Sequence, residues 1–280
     1  MKRGLPLLAE IEQTVSPTPA LWWLGHCGFV IKFDKTVVYI DPYLSDSQAE
    51  RFRRAGYSHE RLMLPPLDPR WIRHADLVLC THAHGAHLDW GTAAPLLEAS
   101  KQAKIVLPKS AIGRANALGV DYLRMISIDA DLRVEYTKNG DALEVIAVAS
   151  AHEQLDWSES GGYPYLGYLI RSGEFTLYHA GDCVPYKGLV DKLKPWNITA
   201  ALLPINGRDP VRGMPGNFTI EEAADLAEAI GARWLVPMHY GMFAINNGDI
   251  GRFVDHMLGF RPSQRFKVFE CGERWVIPPE

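Results

Sequence analysis

Cysteine is scarce: the 280 residues carry only Cys27, Cys80, Cys183 and Cys271, with no Cys-x-x-Cys pair. That scarcity argues against a disulfide-stapled scaffold and fits reduced thiols in a cytoplasmic protein. Positive charge is not in excess either. With 29 Lys+Arg against 33 Asp+Glu the net charge is -4, which speaks against a general binder of nucleic acid or anionic membranes. No apolar run approaches the ~20 residues of a membrane span. The opening MKRGLPLLAEIEQ starts basic, but Glu10 and Glu12 cut its apolar patch short, so no secretory signal is expected. Repeats and low-complexity tracts are missing too, which excludes solenoids and disordered arrays.

What is present is a chain of strands. The length suits a single domain over residues 1–280. LWWLG, FVIKF and TVVYIDPY are short β-branched and aromatic runs split by turn residues, and predict an antiparallel meander. Residues 44–70 are polar, basic and Pro-containing, and read as an inserted flap near the site. ADLVLCT and KIVLP are expected strands, with a helix from Trp90 between them. LEVIAVASA, FTLYHAGD, ITAALLPING and RWLVPMHY are further strands, and FKVFECGERWVIPP closes the chain. TIEEAADLAEAIGA predicts a helix: Thr219 caps it, Glu222 completes a capping box and Gly231 stops it.

Five of these strands end in His, Asp or Asn, and strand ends are where rigid folds expose chemistry to solvent. The densest case is THAHGAHLDW, with His82, His84 and His87 inside six residues. Residues two apart on an extended segment project the same way, so His82 and His84 can share one ion. His152, Asp182 and His239 each follow a later apolar strand. Imidazoles with one carboxylate suit Zn²⁺, and also Mn²⁺ or Fe²⁺. Core packing gives no reason for three clustered histidines, so a metal centre is the reading. His26, His59, His74 and His256, standing singly, read as ordinary polar residues.

His82, His84, His87, His152, Asp182 and His239 fall in the order of the metallo-β-lactamase superfamily pattern His-x-His-x-Asp-His, His, Asp, His. The chain resembles that superfamily over nearly its whole length. It is most similar to the L-ascorbate-6-phosphate lactonase-like group, through ALWWLGHCGFVIKF, DPRWIRHADLVLCTHAHGAHLD, TLYHAGDC and VPMHY. The resemblance implies an α/β fold, an αββα sandwich of two mixed sheets with helices outside. It implies two divalent ions, Zn²⁺ or Mn²⁺: His82, His84 and His152 on one, His87 and His239 on the other, Asp182 bridging. It implies hydrolysis of a small, sugar-derived, anionic lactone by hydroxide held at those ions. A phosphodiesterase or nuclease on the same fold, or a ligand-binding homologue without turnover, are the alternatives.

The departure is Ala86, which stands where the family has the aspartate that holds the second ion and orients or deprotonates the water. The intact remainder points to a chain altered at this position, impaired in catalysis, with its second ion weak or absent. A natural one-metal enzyme and a pseudoenzyme are the competing readings. Asp89 is expected to cap the following helix or to support a ligand, and Asp41 and His179 to support ligands. Asn206, Arg208, Arg212 and Tyr240 are the candidate substrate contacts, with Arg51, Arg53, Arg54, Tyr163 and Tyr165 behind them. The expected partners are a small-molecule substrate and further copies of the chain in a homo-oligomer, with no nucleic acid and no membrane.

Overall fold

The computed structural model describes residues 2–54, 58–138, 140–209 and 216–279. Two seven-stranded sheets face each other. The first is built from β1 (Ala20–Gly25), β2 (Gly28–Phe33), β3 (Thr36–Ile40), β4 (Leu77–Leu79), β5 (Lys104–Pro108) and β6 (Met125–Ile128). The second comprises β7 (Arg133–Lys138), β8 (Asp141–Ala149), β9 (Leu166–Ser172), β10 (Phe175–His179), β11 (Ala200–Pro204), β12 (Trp234–Met238) and β13 (Arg265–Phe266). β14 (Arg274–Val276) returns to the first sheet, giving the orders β14-β1-β2-β3-β4-β5-β6 and β13-β12-β11-β10-β9-β8-β7.

Each sheet is mixed in the same way. β14, β1, β2 and β3 are antiparallel neighbours, and β3 to β6 run parallel. In the second sheet β7 to β10 are antiparallel, and β10 to β13 parallel. The expected meander is therefore β1–β3, and the expected αββα layering is the architecture observed.

Strand alternation explains why both faces of the first sheet are buried. Leu21, Trp23, Ile31, Val38 and Leu79 enter the core between the sheets. Trp22, Leu24, Val30, Tyr39 and Val78 point the other way, onto Leu7, Leu8, Ile11, Leu96 and Leu97 of the covering helices. A buried carboxylate crosses the seam. Asp76, before β4, accepts from Val37 N at 2.8 Å, Tyr136 OH at 3.0 Å and Lys138 Nζ at 2.8 Å.

The helix Ile220–Ala229 carries the capping box at Thr219 and Glu222, and Gly231 follows it with φ 66°. The helix expected from Trp90 begins only at Ala93, with Thr92 at its cap. The intervening residues are spent on a turn in which His87 N and Leu88 N both donate to His84 O. Four α-helices escaped the sequence reading: Leu5–Gln13, Ile112–Ala117, Leu189–Leu193, and Ile250–Phe260 capped by Asp249. So did β6, β7 and β9. Within the flap, Ser47–Arg51 is helical, and Arg61 ties the segment down by donating to the carbonyls of Tyr43, Ser45 and Met63.

Candidate metal centre

The side chains that form the site all leave strand ends or the turns just beyond them. From the first sheet come His26 and Cys27 in the β1–β2 turn, and His82, His84 and His87 after β4. From the second come His152 after β8, Asp182 after β10 and His239 after β12. The backbone is held in unusual conformations to aim them. His26, Asp41 and His239 have φ of 56°, 42° and 64°, the left-handed region that non-glycine residues enter at a cost. Gly181, with φ 61°, lets the chain pass where a Cβ would meet Leu166 O at 2.8 Å, and so delivers Asp182.

Among the described residues two groups of four donors form, each with its ligand atoms within 4.8 Å of one another: His82, His84, His152 and Asp182, and His26, Cys27, His87 and His239. Asp182 lies between them. Its Oδ2 is 3.7, 3.4 and 3.6 Å from the Nε2 atoms of His82, His87 and His152. Its Oδ1 is 3.7 Å from His239 Nε2 and 3.8 Å from Cys27 Sγ. Most of these separations are long for hydrogen bonds. They match donors on a shared ion, since bonds of ~2.1 Å in a tetrahedron put neighbouring ligands roughly 3.4 Å apart. Within the cluster, His26 Nδ1, His82 Nε2 and His239 Nδ1 are buried without a hydrogen-bond partner. A cation at His82 Nε2, which faces Asp182, would fill such a vacancy. The donor set fits divalent metal.

The outer nitrogens are oriented. His87 Nδ1 lies 2.7 Å from Asp41 Oδ2, His152 Nδ1 3.1 Å from Gly216 O, and His82 Nδ1 3.0 Å from Thr81 Oγ1. Asp41 also accepts from Thr81 N at 2.8 Å and Thr81 Oγ1 at 2.6 Å. Holding the proton at Nδ1 leaves the Nε2 lone pair for metal. His179 is not a ligand. Its ring lies 2.8 Å from Cys27 O and accepts from Gly181 N at 3.1 Å, so it joins the β1–β2 turn to the loop carrying Asp182.

Protonation follows burial and neighbours. Burial drives His239 down to about 4 despite the pull of Asp182. His84 falls to about 4 through burial and His152. His87 pushes it the same way. Burial places His26 and His82 well below the ordinary range, helped by neighbouring imidazoles. His87 is the exception. Burial opposes its charge, but Asp182 and Asp41 raise it to about 10.

The donors floor a cavity of about 300 Å³ lined by His26, Arg51, Phe52, His59, Ala86, Phe243 and Asn246 besides the ligands. A larger groove of about 780 Å³ runs along the outside of the flap and shares Phe52 and His59, but reaches none of the clustered donors. Chemistry belongs to the smaller cavity. Ala86 packs its methyl against the apolar cluster of Tyr43, Met242 and Phe243.

Several expected contacts lie elsewhere. Tyr240 is buried, stacks on Trp23 at 4.3 Å, and donates to Phe269 O at 2.7 Å, so it cannot reach a substrate. Arg208 pairs with Glu222 and donates to Asn217 O, closing its own loop rather than facing the cavity. Asn206 donates to Asn246 Oδ1 at 2.8 Å and accepts from Asn217 at 3.0 Å, so it reaches the cavity only through Asn246. Asp89 neither caps the helix nor meets a ligand: it accepts from Ser45, Gly91 and Thr92, pinning the flap's start to the following turn. Arg212 lies outside the described residues. Of the RFRR run, Arg51 lines the cavity, Arg53 lines the outer groove and Arg54 is exposed. Tyr165 packs its ring 5.2 Å from His152 and 5.3 Å from His82, whereas Tyr163 lies against the core. Sequence reasoning missed His26 and Cys27. The signal was there, since they too follow an apolar strand, LWWLG.

The family described as Beta-lactamase superfamily domain matches residues 36–240. The UPF0173 metal-dependent hydrolase MK1542 of Methanopyrus kandleri is 32% identical over 262 residues, 90% of this chain and 97% of that protein. The corresponding PH1671 of Pyrococcus horikoshii is 30% identical, over 82% and 88% of the two chains. Among solved structures, Igni18, a metallo hydrolase from Ignicoccus hospitalis, has a TM-score of 0.67 at 22% identity, covering 94% of this chain and 100% of that one. An isothiocyanate hydrolase from Delia radicum gut bacteria has a TM-score of 0.71 at 17% identity, covering 92% and 98%. Fold, donor set and relatives agree: the chain belongs to the UPF0173 metal-dependent hydrolases of the metallo-β-lactamase superfamily.

Proposed function

We propose that this hydrolase opens a small lactone or related carbonyl ester, with an anionic group favoured by Arg51. The observation that carries the reading is the convergence of imidazole Nε2 atoms on Asp182 at the floor of a cavity of about 300 Å³. That volume is at the small end of ligand sites, which run from ~300 Å³ upward. Divalent ions, Zn²⁺ or Mn²⁺, supply there a lowered water pKa and a Lewis acid for the carbonyl.

The chain's own residues do the rest. His82, His84 and His152 would hold one ion and His87 and His239 would contribute to the other, with Asp182 lying between the two groups. Asp41 fixes the tautomer of His87. Phe52 and Phe243 give the cavity wall apolar surface. Arg51 at the mouth offers a planar fork to a carboxylate or phosphate on the substrate. Ala86 provides no carboxylate to take up a proton, so turnover is expected below that of Ala86→Asp.

The test is a panel of lactones and aryl esters beside bis(p-nitrophenyl) phosphate, with and without chelator, for the protein and Ala86→Asp. Lactone hydrolysis that chelation abolishes, metal restores and Ala86→Asp raises is the expected result. Turnover of the phosphodiester alone overturns the substrate class. Metal-loaded protein inert in both forms favours a ligand-binding role.

A further inference from the structure

Ala86 offers no donor to the second group, but the β1–β2 turn brings two, His26 and Cys27. His26 packs against His239 with ring centroids 4.0 Å apart and the rings tilted by 49°, and stands 5.1 Å from His87. Its ring is buried, its Nδ1 has no partner, and it lines the cavity. Cys27 is buried beside it with Sγ directed at Asp182 Oδ1, 3.8 Å away.

The turn is held in place from three sides. His26 O accepts from His239 N at 3.0 Å and from Trp23 Nε1 at 3.1 Å, while Cys27 O meets the ring of His179. Gly25 and His26 both take left-handed backbone, φ 97° and 56°. A strained turn bearing an unpartnered buried imidazole beside two ligands is the arrangement expected of a functional position.

We propose that His26, His87 and His239, with Cys27 Sγ as fourth donor, hold the second cation, so that His26 takes the place of the missing carboxylate. The site is then complete despite Ala86. Three imidazole nitrogens and a sulfur form a softer set than the oxygen-containing first group. They favour Zn²⁺ or Co²⁺ over Mn²⁺ at this position. Binding releases the Cys27 thiol proton to solvent, because the thiolate is the donor.

The inference rests on the metal-dependent reading of the same centre, and the experiment separates the two. Chelator-stripped full-length protein is titrated with Co²⁺ alone. Ions per chain are counted by elemental analysis, and the near-ultraviolet sulfur-to-cobalt charge-transfer band is followed. Two ions per chain with that band are expected. His26→Asn keeps the left-handed backbone, which Asn tolerates. It should retain the first ion, which certifies its fold, and weaken the second beyond the roughly 10–100-fold that losing a mere partner of a ligand costs. Cys27→Ser should lose the band.

One ion per chain in the unsubstituted protein, or two equally tight ions in His26→Asn, overturns the proposal. Two ions without the band remove Cys27 from the ligand set. No bound ion at saturating Co²⁺ overturns the metal-dependent reading itself.

Discussion

Asp41→Asn tests the claim that orientation of the ligands is built into the buried layer behind them. Three donors converge on this carboxylate: Thr81 N on Oδ1, and Thr81 Oγ1 with His87 Nδ1 on Oδ2. Asparagine has nearly the same shape and tolerates φ 42°, so the backbone need not move. It has only one acceptor oxygen. If that oxygen faces His87, the amide nitrogen opposes Thr81 N–H; if it faces Thr81 N, it opposes His87 Nδ1–H. One buried donor is orphaned in either case, at a cost of roughly 1–3 kcal/mol. In the second arrangement His87 is pushed to the tautomer protonated on Nε2, the atom that faces Asp182. Metal affinity at that position should fall about 10–100-fold, which is roughly 1.4–2.7 kcal/mol. An ion at the other proposed group, His82, His84 and His152, should be little changed. Competitive titration against a chromophoric chelator at neutral pH measures both, and urea unfolding of the metal-free protein measures the stability loss. Two affinities within about twofold of the original, in a folded Asp41→Asn protein, would refute the orienting role.

The metal-free protein should lose stability as pH falls from 6.5 toward 4. His239, and with it His84, is held near 4 in the fold against 6.5 unfolded, so in that window the unfolded chain binds more protons. His87, raised to about 10, acts in the opposite sense and only above 6.5. A thermal-shift series across pH reads both arms, and a flat acid arm contradicts the burial of these imidazoles. Gly181→Ala should destabilise by about 1–3 kcal/mol through left-handed strain and the clash with Leu166 O; because it displaces Asp182, both ions should weaken together. Lys138→Met leaves Asp76 buried without its cation, and about 1–3 kcal/mol should be lost in urea unfolding. Unchanged stability would mean that Tyr136 and Val37 N suffice for that carboxylate.

The clustering of His82, His84, His87, His152, Asp182 and His239 was legible because its signal is local: rare residue types at the ends of apolar strands. The same locality made the capping box at Thr219 readable. Arg208, Tyr240 and Asp89 were misplaced because the direction of a loop side chain is set by partners far along the chain: Glu222 for Arg208, Phe269 for Tyr240, Ser45 for Asp89. His26 was undervalued for a related reason. One histidine in a hairpin turn has no local signature, and its meaning comes from lying against His239, contributed by the other sheet. Helix Leu5–Gln13 and strand β7 were missed because both are short, and β7, RVEYTK, alternates without the apolar richness that marked the other strands.

The division of ligands between the sheets has a mechanical consequence. Each donor group takes residues from both halves: His82 and His84 with His152 and Asp182, and His26, Cys27 and His87 with His239. Metal bound by these groups would act as a rivet across the seam, so that parting the sheets would tear its coordination sphere. The free energy of unfolding should then rise with free metal, since opening the seam gives up ions that only the folded protein binds tightly. A protein starved of metal would open first along that line, with the Asp76–Lys138 clamp at the far edge the last tie to fail.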